Sequence, residues 1–110
     1  MIKAVFKVSE EKVVGFDLSG HAGTAESGQD ILCAAVSGAA QCVNAAVEDA
    51  MGIENSFSVE EGENNRITCD LSGISNVPEG AYKVLEGFLL TMEMWEKDFP
   101  KNIKVKRQHI

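Results

Sequence analysis

Lys12–Gly52, KVVGFDLSGHAGTAESGQDILCAAVSGAAQCVNAAVEDAMG, changes its hydrophobic period once, and that change decides the fold. Over residues 12–19 apolar and polar residues alternate, with Val14, Phe16 and Leu18 on one side, the pattern of a strand with one buried face. From Ile31 onward Leu32, Val36, Ala39, Val43, Ala46 and Ala50 recur at steps of three and four. That spacing predicts a helix with one buried stripe, ending where Gly52 can take a left-handed cap. Ser37, Gln41, Asn44 and Glu48 fall on its opposite side. Between strand and helix, Gly20, Gly23 and Gly28 among small polar residues read as a loop, and Asp30 is the expected helix N-cap.

Working outward, residues 2–8 are rich in β-branched and aromatic residues and meet the 12–19 strand across Ser9-Glu10-Glu11, which predicts a hairpin. Phe57 and Val59, then Ile67, Cys69 and Leu71, alternate with polar residues on either side of Glu61-Gly62-Glu63-Asn64-Asn65, a second hairpin. Pro78 suits the first position of a second helix, whose stripe is Ala81, Val84, Leu85, Phe88, Met92 and Trp95. Ile103-Lys104-Val105-Lys106 alternates again, as an edge strand whose lysines discourage pairing with another chain. The order β-β-α-β-β-α-β predicts a two-layer α+β domain over 1–110, with both helices on one face of a mixed or antiparallel sheet. Leu90 and Met94 lie off the second stripe and read either as a dimer contact or as two exposed apolar side chains.

The chain of 110 residues carries a net charge of −7, unevenly spread. Five of its ten basic residues (Lys97, Lys101, Lys104, Lys106 and Arg107) follow position 96, so residues 1–96 hold 16 acids against 5 bases, a net −11. Such a body repels nucleic-acid phosphates and attracts a basic partner; the bland alternative is that it only keeps the protein in solution. No run of about 18 consecutive apolar residues exists to span a membrane, and residues 1–7 lack the apolar centre of a signal peptide, so a cytoplasmic protein is expected. Cys33, Cys42 and Cys69 are odd in number and show no Cys-x-x-Cys spacing, against a disulfide framework or a structural zinc site.

Chemistry concentrates in Gly20-His21-Ala22-Gly23 and Gly28-Gln29-Asp30-Ile31-Leu32-Cys33-Ala34-Ala35-Val36-Ser37. His21 follows the strand end, and with Asp30 as N-cap Cys33 falls in the first helical turn, beside unpaired backbone N–H groups. A helix N-terminus and a nearby imidazole both favour a thiolate, so the two residues could act as nucleophile and base. They read equally as a small buried thiol and a capping histidine. Cys33 leans to the flank shared with Ser37 and Asn44 rather than the core stripe, which weighs towards chemistry. Asp30 could orient His21, and Ser37 could hydrogen-bond the sulfur or a substrate carbonyl. Cys42 and Cys69 read as structural, and His109 as a solvated tail residue. A phosphate cradle is disfavoured, because the glycine loop matches neither nucleotide-binding spacing and no lysine lies between 13 and 82.

These residues resemble the ribosomal-processing cysteine protease Prp family, with the specific signal at positions 20–37 and a similar length and element order over nearly the whole chain. The resemblance implies a cytoplasmic bacterial endopeptidase that removes a short N-terminal extension from ribosomal protein L-twenty-seven, with Cys33 as nucleophile and His21 as base. It implies supporting or substrate-binding roles for Gly20, Gly23, Gly28, Asp30 and Ser37, with a homodimer and a loop over the site at Gly20–Gly28. No metal or organic cofactor is implied, and neither a membrane nor direct nucleic-acid binding is expected. Leu32 stands where valine is common in the family, a conservative change. Two other classes stay open on the residues alone. One is a non-enzymatic acidic module binding a ribosomal protein or assembly factor, with the basic C-terminal stretch available to RNA. The other is an acyl or thioester hydrolase with a narrow apolar pocket.

Overall fold

The computed structural model describes residues 1–20, 27–60 and 65–110, with 27–30 as backbone only. β1 (Ile2–Ser9) and β2 (Lys12–Ser19) form the first hairpin, followed by α1 (Ser27–Asn44) and a π-helical segment, Ala45–Ala50. β3 (Phe57–Glu60) and β4 (Arg66–Asp70) form the second hairpin, followed by α2 (Glu79–Asp98) and β5 (Ile103–His109). The sheet order is β3-β4-β2-β1-β5, antiparallel throughout except for the parallel pair β1 and β5. This mixed five-stranded sheet with two helices is the α+β arrangement expected from the sequence.

Alternation on the central strand β1 sends Ile2, Ala4, Phe6 and Val8 into the core. In the register Phe6–Phe16–Cys69–Phe57 a row of side chains crosses four strands on that face. Phe88 of α2 meets this row edge-on, 5.0 Å from the Phe16 ring and 5.6 Å from the Phe6 ring. The opposite face presents Lys3, Lys7, Asp17, Thr68 and Arg66 in alternation, and Arg66 donates to Asp17 across strands at 3.0 Å.

The register of β2 departs from simple alternation. A bulge opposite Lys7 and Val8 pairs Val8 with Val13, so Val13 joins Phe16 and Leu18 in the helix-facing core, while Val14 is buried apart and accepts a hydrogen bond from the Leu71 amide at 2.8 Å. Glu10 and Glu11 close the hairpin with φ of 52° and 65°, as a two-residue type I′ turn demands. Neither side chain is suited to that region. Replacing the pair by Asn-Gly is expected to stabilise the protein by about 1 kcal/mol, seen as a higher urea midpoint. An unchanged midpoint would mean the turn carries no strain.

The buried stripe of α1 is Leu32, Val36, Ala40 and Val43, continuing to Val47, rather than the run through Ala39, Ala46 and Ala50; Ala50 is exposed. Ala40 takes the place of Ala39 within the α-helix itself, and past Asn44 the π turns rotate the following residues relative to a 3.6-residue period. Met51 N–H reaches the Ala46 carbonyl at 3.0 Å, and Gly52, with φ of 70°, ends the segment in the left-handed conformation expected. Ile31–Ala50 is long and apolar enough to cross a membrane by length and composition, but its stripe packs in the same core as the sheet.

Pro78 is the N-cap of α2 rather than its first helical residue, because its ψ of 142° is extended. Ala81, Leu85, Phe88, Leu89 and Met92 are buried on α2; Val84 and Trp95 pack at the edge of the core. His109 is not a tail residue: it is exposed but closes β5, paired with Val8. On the outer edge of β5, Glu96 accepts the Val105 amide at 2.8 Å, which blocks part of that edge in addition to the strand's lysines.

Candidate active site

The N-terminal end of α1 lies over the ends of β1, β2 and β4. There a cavity of about 80 Å³ is walled by Ile2, Leu18, Val36 and Ile67 and rimmed by Ser19, Gly20, Cys33, Ser37 and Asn65. Cys33 is half-buried in this wall, and Ser37, one turn further along α1, borders the same space. The structure thus brings together Gly20, Cys33 and Ser37 of the residues singled out from sequence. Gly20 is forced to be glycine twice over. Its φ is 77°, and a Cβ there would sit 2.3 Å from the carbonyl oxygen of Met1. His21 and Gly23 lie outside the described residues, as does the side chain of Asp30; Gly28 is described as helical backbone, and His21 follows Gly20 directly in the chain.

The start of α1 corrects one expectation. The helix begins at Ser27, so Asp30 is inside it and is not its N-cap, and Cys33 is its seventh residue rather than part of its first turn. Two consequences follow for the chemistry. The charge of the helix end acts mainly on the first turn, which Cys33 has passed. The amides of Ile31, Leu32 and Cys33 are committed within the helix, whereas those of Ser27, Gly28 and Gln29 belong to the first turn, where amides have no helical acceptor.

The other thiols differ from each other. Cys42 is exposed on α1, contrary to a structural reading. Cys69 is buried in the aromatic row, and burial, followed by the nearby charges of Asp70 and Glu48, pushes its thiol up to about 12 from an ordinary 9.0. Cys69 is therefore expected to resist iodoacetamide at pH 8 until the protein unfolds, as peptide mass analysis would report; labelling of the native protein at Cys69 would contradict its burial. The sign for stability follows. Between pH 9 and 12 the folded thiol keeps a proton that the unfolded one releases, so stability falls as pH rises through that window.

Two wider depressions adjoin the cavity. One, of about 640 Å³, is bordered by Met1, Lys3, Ser19, Gly20, Glu60, Asn65 and Arg66. The other, of about 390 Å³, runs between α1 and the edge strand, bordered by Ser37, Gln41, Val59, Glu60, Asn65, Arg66 and Ile67. Asn65 and Ile2 were not legible as site residues. Both owe their place to strand pairing, and Asn65 reads in sequence as one polar member of a turn.

A thiol set in the wall of a cavity that opens into long surface depressions suits the thiol peptidases, which need room for a polypeptide on both sides of the reacting bond. The family model described as Cysteine protease Prp matches residues 1–104. A protein of Bacillus subtilis (strain 168) named ribosomal processing cysteine protease Prp is 32% identical over 108 residues, 96% of each chain. The crystal structure of SMU.848 from Streptococcus mutans superposes with a TM-score of 0.91 at 31% identity, covering 100% of this chain and 96% of that one. Prp from S. aureus, solved with a covalently linked product peptide, shares the fold at a TM-score of 0.69 and 23% identity, covering 98% of this chain and 100% of that one. The chain belongs to the cysteine protease Prp family, and is a hydrolase of the peptidase class.

Proposed function

We propose that the whole chain works as one cysteine endopeptidase domain that removes the N-terminal extension of ribosomal protein L-twenty-seven during bacterial ribosome assembly, in the cytoplasm and as a homodimer. The observation that carries the reading is Cys33 in the wall of a cavity rimmed by Gly20, one peptide bond before His21. His21 takes the Cys33 thiol proton, and the sulfur attacks the scissile carbonyl carbon to give a tetrahedral oxyanion. First-turn amides at Gly28 and Gln29 are the donors for that oxyanion. The C–N bond then breaks, His21 returns the proton to the leaving amine, and a thioester is left on Cys33. His21 next draws a proton from water, whose oxygen displaces the thiolate and releases the trimmed-off segment. Asp30 is assigned to orienting His21 and Ser37 to holding a substrate carbonyl, with Gly23 and, in the first turn of α1, Gly28 as supporting residues. No metal or organic cofactor takes part.

The apolar walls of the small cavity support an apolar substrate side chain beside the cut bond, and its opening into wide depressions favours a polypeptide over a small thioester. Exposed Leu90 and Met94 on α2 support the dimer. Incubation with L-twenty-seven bearing its extension, followed by intact-mass analysis, is expected to give a single truncated product. A stable complex without truncation would favour the binding-module reading instead.

Charge supports capture of a basic substrate. Of the acids Glu48, Asp49, Glu54, Glu60, Glu61 and Glu63, Glu60 borders both wide depressions, and Glu61 and Glu63 lie outside the described residues. Raising salt from 50 to 500 mM is expected to raise KM several-fold with little change in kcat, because screening shortens the reach of the −7 chain. Identical KM values at the two salt concentrations would remove electrostatic capture from the account.

A further inference from the structure

The cavity at Cys33 and the two depressions beside it share walls in pairs. Ser19 and Gly20 border the cavity and the larger depression, Ser37 and Ile67 the cavity and the smaller one, and Glu60 and Arg66 both depressions. Among the described residues Asn65 alone borders all three. Asn65 therefore stands where the cavity and both depressions meet.

Residue type and setting both suit this place. A carboxamide offers one acceptor oxygen and two N–H donors on one planar group, so it can accept from a peptide N–H and donate to a peptide carbonyl together. That pairing grips an extended main chain whatever its side chains, as a sheet edge does in strand addition. Asn65 immediately precedes β4, whose first residue, Arg66, is in register with Glu60 of β3 and with Ser19 of β2. Asn65 thus directly adjoins the sheet and is exposed.

We propose that Asn65 is a substrate-positioning residue that holds the main chain of the bound polypeptide where it crosses towards Cys33. The assignment rests on the protease reading above. The test is steady-state cleavage of a peptide spanning the N-terminal extension of L-twenty-seven by the native protein, Asn65→Ala and Asn65→Gln, with the rate of Cys33 alkylation by iodoacetamide measured alongside. Asn65→Ala is expected to raise KM about tenfold, the worth of one or two lost hydrogen bonds, with kcat nearly unchanged. Asn65→Gln is expected to recover part of that loss. Alkylation of Cys33 should proceed at the native rate in both, because a small reagent needs no grip on a main chain. An Asn65→Ala enzyme with native KM overturns the proposal, and so does a loss matched by an equal change in alkylation, which would mark a structural role. If the native protein leaves the peptide uncut, the L-twenty-seven reading itself fails; cleavage with no Asn65 effect sinks this assignment alone.

Discussion

Alanine at Cys33 is expected to lower cleavage of the L-twenty-seven extension by at least about 10³-fold, the loss typical of removing a covalent nucleophile. Cys33 is half-buried at the rim of a cavity, so the change removes one sulfur from a partly solvated wall and leaves the stripe of Leu32, Val36 and Ala40 in place. The thermal midpoint should shift by only a few degrees, which separates lost chemistry from lost structure. His21→Ala should give a loss of similar size, since nucleophile and base act as a unit. Cys42→Ala serves as the control. That thiol is exposed on α1 and borders none of the three spaces at the site, so activity should be native. A Cys33→Ala protein within tenfold of native activity would mean that the nucleophile is elsewhere.

Gly20→Ala comes next in expected effect, and it acts through the backbone. The added methyl must be accommodated against the Met1 carbonyl oxygen at 2.3 Å, in a backbone region that disfavours any side chain. Neither atom belongs to a flexible side chain that could swing away, so the end of β2 must separate from the start of β1. A loss of about 2–4 kcal/mol is expected. Because Ile2 and Gly20 both border the cavity, activity should fall even where the variant is folded. Urea unfolding and cleavage rates on the same preparation would check this; a variant with native values of both would show that the strand ends yield without cost.

The parts of this fold that could be read in advance were those encoded by local period. Alternation in Ile2–Val8 and the three-and-four spacing of Ala81, Leu85, Phe88 and Met92 each specify one buried face without knowledge of a partner. The bulge that turns Val13 inward was not legible, because it depends on which residue of β1 stands opposite. The π turns after Asn44 were likewise hidden, since they preserve apolar content and change only its phase. At the start of α1, the glycines and small polar residues of 20–28 carry the composition of a loop, so a helix beginning at Ser27 was not legible. Cys33 and Gly20 stood out by residue type and motif. Asn65 had no such mark, because its importance is a matter of position, set by pairing between strands far apart in sequence.

The parallel partnership of β1 and β5 has a kinetic side. Ile2, a wall of the cavity at Cys33, is in register with Ile103, and its amide donates to the Asn102 carbonyl at 2.8 Å. Contacts between such distant segments close a very large loop and are among the slowest to form. Synthesis delivers β1 before β5, so the edge of β1 that β5 covers stays open while the helices and the second hairpin are built. The cavity wall at Ile2 is completed only when residues 103–109 have docked. A nascent chain that has not yet added β5 thus carries Cys33 beside an unfinished cavity wall.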